Sequence, residues 1–155
     1  MATLLAKRLT WPSVDLDREI ERRAGRSVAA IFEEGEPRFR ELESRALAEA
    51  LDGAGPLVLA CGGGVLGRSE NRELLGARAR VVWLRVDPSS AAARLQGSGS
   101  AERPLLRGGP VAERLRALLE SRGAEYAAAA EAAVDTAGLT PEQVAERIAE
   151  RLALA

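Results

Sequence analysis

Read at helical spacing, Leu4, Leu5 and Leu9 form an apolar stripe with Lys7 and Arg8 off it, which predicts a helix ending at Trp11–Pro12. Ser13–Val14–Asp15–Leu16 is a short strand candidate. Asp17 to Ile31 reads as a helix with an intervening Gly25, and Glu36 to Leu51 as another. LVLAC, residues 57–61, predicts a buried strand broken by glycines, and residues 69–76 suggest a helix. VVWLRV, residues 81–86, is the clearest strand in the sequence; Pro88 follows it, and Ser89 or Ser90 caps a helix through Leu95. QGSGSAERPLLRGGP, residues 96–110, holds too many glycines and prolines for regular structure, and its length favours a lid over a simple connector. A helix from Val111 to Arg122, with a continuation through Ala133, precedes a short strand near Val134–Asp135–Thr136. Thr140–Pro141–Glu142 then starts the last helix by the N-cap and first-turn proline rule. Strands alternating with helices imply an α/β fold, a parallel sheet covered by helices on both faces in three layers.

Composition narrows the picture. The chain has 155 residues, with no internal repeat and no dividing linker, which predicts a single domain over 1–155. Hydrophobic content of 46% and charged content of 29% describe a folded globular chain. A net charge of −1 with mixed signs argues against nucleic acid as a partner. One cysteine, Cys61, rules out an internal disulfide and fits a reducing compartment. The absence of histidine excludes Ser–His and Cys–His nucleophile pairs and removes the commonest zinc ligand. Apolar runs are too short to span a bilayer, and MATLLAKRL holds no signal-peptide segment, so no membrane partner and a cytoplasmic location are expected.

In an open parallel sheet, ligands bind beyond the carboxyl ends of the strands. Asp15 and Asp17 close the first strand candidate, and a spacing of two places both carboxylates on one strand face, poised for magnesium or a hydroxyl proton. The plainer reading is that Asp17 caps the next helix. Gly62–Gly63–Gly64 follows LVLAC, and a glycine triplet lets backbone approach a ligand closely; a plain strand-to-helix turn is the other reading. GGGVLGRS, residues 62–69, imitates a phosphate-binding loop with Arg68 in place of the lysine. The forked guanidinium is no equivalent of that lysine. Lys7 is the only lysine, and Arg40, Arg103 and Arg122 stand out by context. Each is a candidate for holding carboxylate or phosphate oxygens, or else a solvated charge. Arg103 lies inside the lid segment, where a phosphoryl-transfer enzyme needs a cation.

LLAKRL, VDLDREIERRAGRSVAAIFEEGEPRFRELE, LVLACGGGV, VVWLRV, RPLL, SRGAEY and VDTAGLTP occur in an order and spacing that resemble the shikimate kinase family across almost the whole chain. The resemblance implies a P-loop kinase fold of the nucleoside monophosphate kinase type. It also implies ATP-dependent phosphorylation of the 3-hydroxyl of shikimate in chorismate and aromatic amino-acid biosynthesis, with ATP and Mg2+ bound and a monomeric enzyme. Asp17 matches the carboxylate that binds the shikimate hydroxyls and orients or deprotonates the attacking one, and Asp15 the aspartate near magnesium. Arg40 and Arg122 match the arginines that hold the shikimate carboxylate, and Glu43 the acid that orients such an arginine. Gly62, Gly63 and Gly64 match the glycine loop that touches substrate. Arg103 matches the lid arginine that reaches the ATP phosphates, and the region around Pro141 the turn that passes the adenine.

The family pattern places a central strand and a G-x-x-G-x-G-K-[ST] loop ahead of the helix that LLAKRL resembles. The sequence is therefore expected to leave two strand pairs with unpaired inner edges, and to be impaired in transfer. Two accounts stay open: a true start further upstream, or a non-catalytic shikimate-binding or regulatory relic of the fold. A kinase of the same fold acting on another small polyol is disfavoured, because a neutral polyol needs no carboxylate clamp.

Overall fold

The computed structural model describes residues 1–96 and 110–154. The lid expected over 96–110, its two end residues apart, lies outside them, as does Arg103. In chain order the elements are α1 (Ala2–Leu9), β1 (Ser13–Asp15), α2 (Leu16–Ala24), α3 (Val28–Glu33), α4 (Glu36–Leu51), β2 (Val58–Ala60), a 3-10 turn (Val65–Gly67), α5 (Ser69–Arg78), β3 (Val82–Arg85), α6 (Pro88–Gln96), α7 (Val111–Ala129), β4 (Ala132–Asp135) and α8 (Pro141–Arg151).

The alternation read from the sequence holds, although the helix expected to continue through Ala133 ends at Ala129, and Ala132 and Ala133 already pair in β4. Three further local differences stand out. The helix expected from Asp17 to Ile31 is two helices, because Gly25 closes α2 in the left-handed region at φ 64° and Ser27 restarts the chain as the cap of α3. Asp87, rather than Ser89 or Ser90, caps α6, its carboxylate accepting from the Ser90 N–H at 2.9 Å. The third difference bears on the chemistry. Asp15 ends β1 and Asp17 already stands in the first turn of α2, so the strand rule that places residues two apart on one face does not apply. Asp15 is the cap, its carboxylate accepting from the Arg18 N–H at 3.2 Å. At the other end of the chain, Thr140 and Gln143 close a full capping box before Pro141 in the first turn of α8.

β1 pairs with β2 and β3 with β4, both parallel, as two separate two-stranded sheets. This is the division into two pairs expected from the sequence. Adjacent residues of β2 serve opposite faces. Val58 packs on the cluster of Leu5, Leu9, Val134, Val144 and Ile148, while Leu59 packs on that of Leu16, Ile20, Ile31, Phe39, Leu47 and Leu66. Val82 and Val81 divide in the same sense, so helices cover both faces of the strand layer. Among the described residues, no helix is long and apolar enough to cross a membrane.

Candidate active site

The carboxyl ends of the strands open onto a cavity of about 1200 Å³. Asp15, Asp17, Arg40, Glu43, Gly62, Gly63, Gly64 and Arg122 all line it. Chain segments separated by a hundred residues thus converge where parallel-sheet topology places ligands. Pro141 does not line this cavity, although Ala137 just ahead of it does. A second cavity, about 420 Å³ between α2, α3 and α4, holds none of these residues and is rimmed by the Arg23–Glu49 and Arg26–Glu34 ion pairs.

Arg40 is built into place by its own helix. Glu36 and Glu43 lie four residues before and three after it, the spacings that share a helix face. Glu36 accepts from Nε at 3.1 Å and Nη2 at 2.8 Å, and Glu43 accepts from Nη1 at 2.7 Å. A guanidinium carries five N–H donors, so one hydrogen on each Nη is left for a ligand. The Arg40 side chain is 12% exposed and that of Glu43 1%. Phe39 adds its ring 5.2 Å from the Arg40 Cζ. Burial opposes the charge on Arg40, but the hydrogen bonds it donates to Glu43 and Glu36 outweigh that and raise its pKa. For Glu43, burial is the largest influence and pushes the carboxyl up against the pull of Arg40; the nearby Asp17 charge adds to the rise and Arg122 opposes it.

That rise carries a sign for stability. A carboxyl with a raised folded pKa favours the fold most below the ordinary value of 4.5 and loses that contribution as pH rises through the folded value. The parent protein should therefore lose stability relative to Glu43→Gln as pH climbs from about 4 to 7. Urea unfolding of both proteins across that range measures it, and a constant difference would count against the burial account.

The structure shows why three glycines stand together. A Cβ on Gly62 would meet the Asp17 carboxylate at 3.6 Å and Glu43 at 3.9 Å, both ordinary contacts. On Gly63 it would meet the Tyr126 hydroxyl at 2.8 Å, and on Gly64 it would lie 2.5 Å from the Arg40 Cζ. The triplet is therefore the surface on which side chains from α2, α4 and α7 meet. Gly64→Ala should displace the Arg40 guanidinium from both glutamates. Its backbone at φ −95° suits alanine, so the strain falls on the arginine. Anion binding in the cavity should weaken by about tenfold, the scale of a charged hydrogen bond. Titration with a small ring carboxylate measures it, and unchanged affinity would show that Arg40 relocates freely.

Arg122 stands on α7, partly buried, with no ion-pair partner among the described residues. Asp17, in the first turn of α2, is placed favourably for its charge by the helix dipole. Phe32 and Phe39 are wall residues that sequence reasoning passed over; their rings stack with centroids 4.6 Å apart and both line the cavity. They are the chain's only phenylalanines, which was the available signal. Trp83 and Tyr126 also line it, with ring centroids 5.6 Å apart. Together these side chains offer two forked cations, an aromatic wall and a carboxylate, a setting for a small ring compound that carries an anionic group and hydroxyls.

The family model "Shikimate kinase" matches residues 1–153. A shikimate kinase of Symbiobacterium thermophilum is 43% identical over 150 residues, 96% of this chain and 86% of that protein. One of Thermobifida fusca is 47% identical over 149 residues, covering 96% and 84% of the two chains. Among solved structures, a shikimate kinase of Acinetobacter baumannii in complex with shikimate superposes with a TM-score of 0.92 at 33% identity, over 98% of this chain and 84% of that one. A shikimate kinase of Bacteroides thetaiotaomicron gives a TM-score of 0.86 at 31% identity, over 98% and 91%.

Proposed function

The chain belongs to the shikimate kinase family, and from that premise we propose that its cavity holds shikimate with the carboxylate between Arg40 and Arg122 and the reacting hydroxyl against Asp17. The family's reaction is ATP-dependent phosphorylation of the 3-hydroxyl of shikimate, a transferase step in chorismate and aromatic amino-acid biosynthesis. The observation that carries the reading is the convergence of Arg40 and Asp17 on one glycine turn, with Arg122 lining the same cavity.

The roles follow from charge and reach. Two guanidiniums from different helices take the carboxylate as a fork, with Glu36 and Glu43 fixing the first. Phe32 and Phe39 offer an apolar wall to the ring. Anchoring the carboxylate fixes how the ring turns, and this presents one hydroxyl to Asp17 for in-line transfer. Asp17 holds that hydroxyl and draws its proton as the oxygen attacks.

Asp15 is exposed and has a carboxylate on the same cavity, which suits Mg2+, a cation bound by one or two carboxylates with waters and substrate phosphates. When bound, the ion neutralises charge on the transferring phosphoryl group. By the family resemblance, Arg103 supplies a second positive charge to that group, and the turn around Pro141 passes the adenine. We take the protein to work as a monomeric single domain over 1–155 in the cytoplasm, consistent with its free thiol at Cys61.

Calorimetric titration with shikimate tests the reading. One molecule should bind per chain, and the methyl ester, which lacks the anion, should bind far more weakly. Equal affinity for acid and ester would remove the carboxylate clamp.

A further inference from the structure

We propose that Tyr126 is a positioning residue that gauges the carboxylate clamp: by tying α7 to the glycine turn it sets where Arg122 stands relative to Arg40. The inference rests on the substrate reading above and adds a determinant of the same site. The Tyr126 hydroxyl donates to the Gly63 carbonyl at 2.5 Å. A side chain at residue 63 would occupy the space of that hydroxyl, its Cβ falling 2.8 Å away. The glycine is therefore what admits the tether.

Arg122 and Tyr126 are four residues apart on α7, one helical turn along the same face. Holding the ring at 126 thus holds the base of the arginine at 122. The tether matters because α7, 19 residues long, has no fully buried residue. Its place is decided by individual side-chain anchors rather than by a core-facing stripe. Tyr126 is such an anchor on two sides: its hydroxyl reaches the turn after β2, and its ring leans on Trp83 of β3 at 5.6 Å. It therefore connects the two strand pairs that no ladder joins.

The opposite jaw is registered on the next residue, where the Arg40 guanidinium packs on Gly64. Adjacent glycines thus fix both jaws, and the span between them selects a carboxylate set at one distance from Asp17.

A binding cycle tests this, with shikimate titrated into the parent, Tyr126→Phe, Arg122→Lys and the double variant. Phenylalanine keeps the ring on Trp83 and removes only the hydroxyl. Tyr126→Phe should weaken shikimate about fivefold, one hydrogen bond's worth. The double variant should bind within about twofold of Arg122→Lys alone, because the tether acts through that arginine. Gly63→Ala, which displaces the hydroxyl from the other side, should match Tyr126→Phe. A merely structural role would lower the melting temperature and weaken binding whatever residue stands at 122. Multiplying effects, or unchanged affinity in both Tyr126→Phe and Gly63→Ala, would overturn the anchor and leave the substrate reading intact. A parent chain that binds no shikimate would overturn that reading first.

Discussion

Arg40→Ala should lower shikimate affinity by about a hundredfold or more, the scale of losing a charged, bidentate contact. The alanine also removes the partner of Glu43, which is 1% exposed. Stripping one member from a buried pair is costly because it strands the other charge. Burial pushes the Glu43 carboxyl up and Arg40 pulls it down, so removing Arg40 should raise it further, and proton uptake should recover part of that cost. Two effects would then be mixed in one measurement. Combining Arg40→Ala with Glu43→Gln separates them: the neutral amide should restore stability while shikimate binding stays lost. Arg40→Lys should fall between, since an ammonium keeps the charge and loses the fork. A double variant that binds as the parent does would take Arg40 out of the clamp. Calorimetry for binding and urea unfolding for stability give the two numbers independently.

Most of the scaffold could be read because its signals are local. Thr140 ahead of Pro141 announced α8, and the structure closes the same cap with Gln143. The Glu36–Leu51 helix has the predicted bounds, since Gly35 and the Pro37 in its first turn punctuate it. The carboxylates near β1 were harder. Their spacing of two is meaningful only if both residues are extended, and the chain turns helical at Leu16 between them. No local pattern distinguishes a fourth strand residue from a first helical one. Phe32 and Phe39 went unread for another reason: a wall residue has the same polarity as a core residue, and only the fold shows which side of it is open. The glycine triplet announced a close approach without naming what approaches. The partners proved to be Tyr126 and Arg40, from α7 and α4. Contacts across such separations carry no mark in the sequence of either partner.

Asp17→Asn should lower the rate of phosphoryl transfer by about a thousandfold, within the range for losing a positioned base, and weaken shikimate less than about tenfold. A coupled assay with ATP, Mg2+ and shikimate gives the rate, and calorimetry gives the affinity. Asparagine keeps the shape beside Gly62, where the carboxylate passes 3.6 Å from the Cβ position, and still hydrogen-bonds a hydroxyl. It cannot accept the proton as the oxygen attacks, so the loss should fall on kcat and little on KM. The substitution also removes a negative charge that raises Glu43, which should let Glu43 ionise more readily and hold Arg40 at least as firmly. The carboxylate clamp is therefore expected to survive, and a rate loss cannot be blamed on it. A variant whose kcat falls less than about tenfold would reduce Asp17 to orienting the hydroxyl, with the proton leaving to the phosphoryl oxygens or to water. A variant that loses affinity and rate equally would make the carboxylate a binding group. The split between kcat and KM thus decides which of the two roles the first turn of α2 was built to hold.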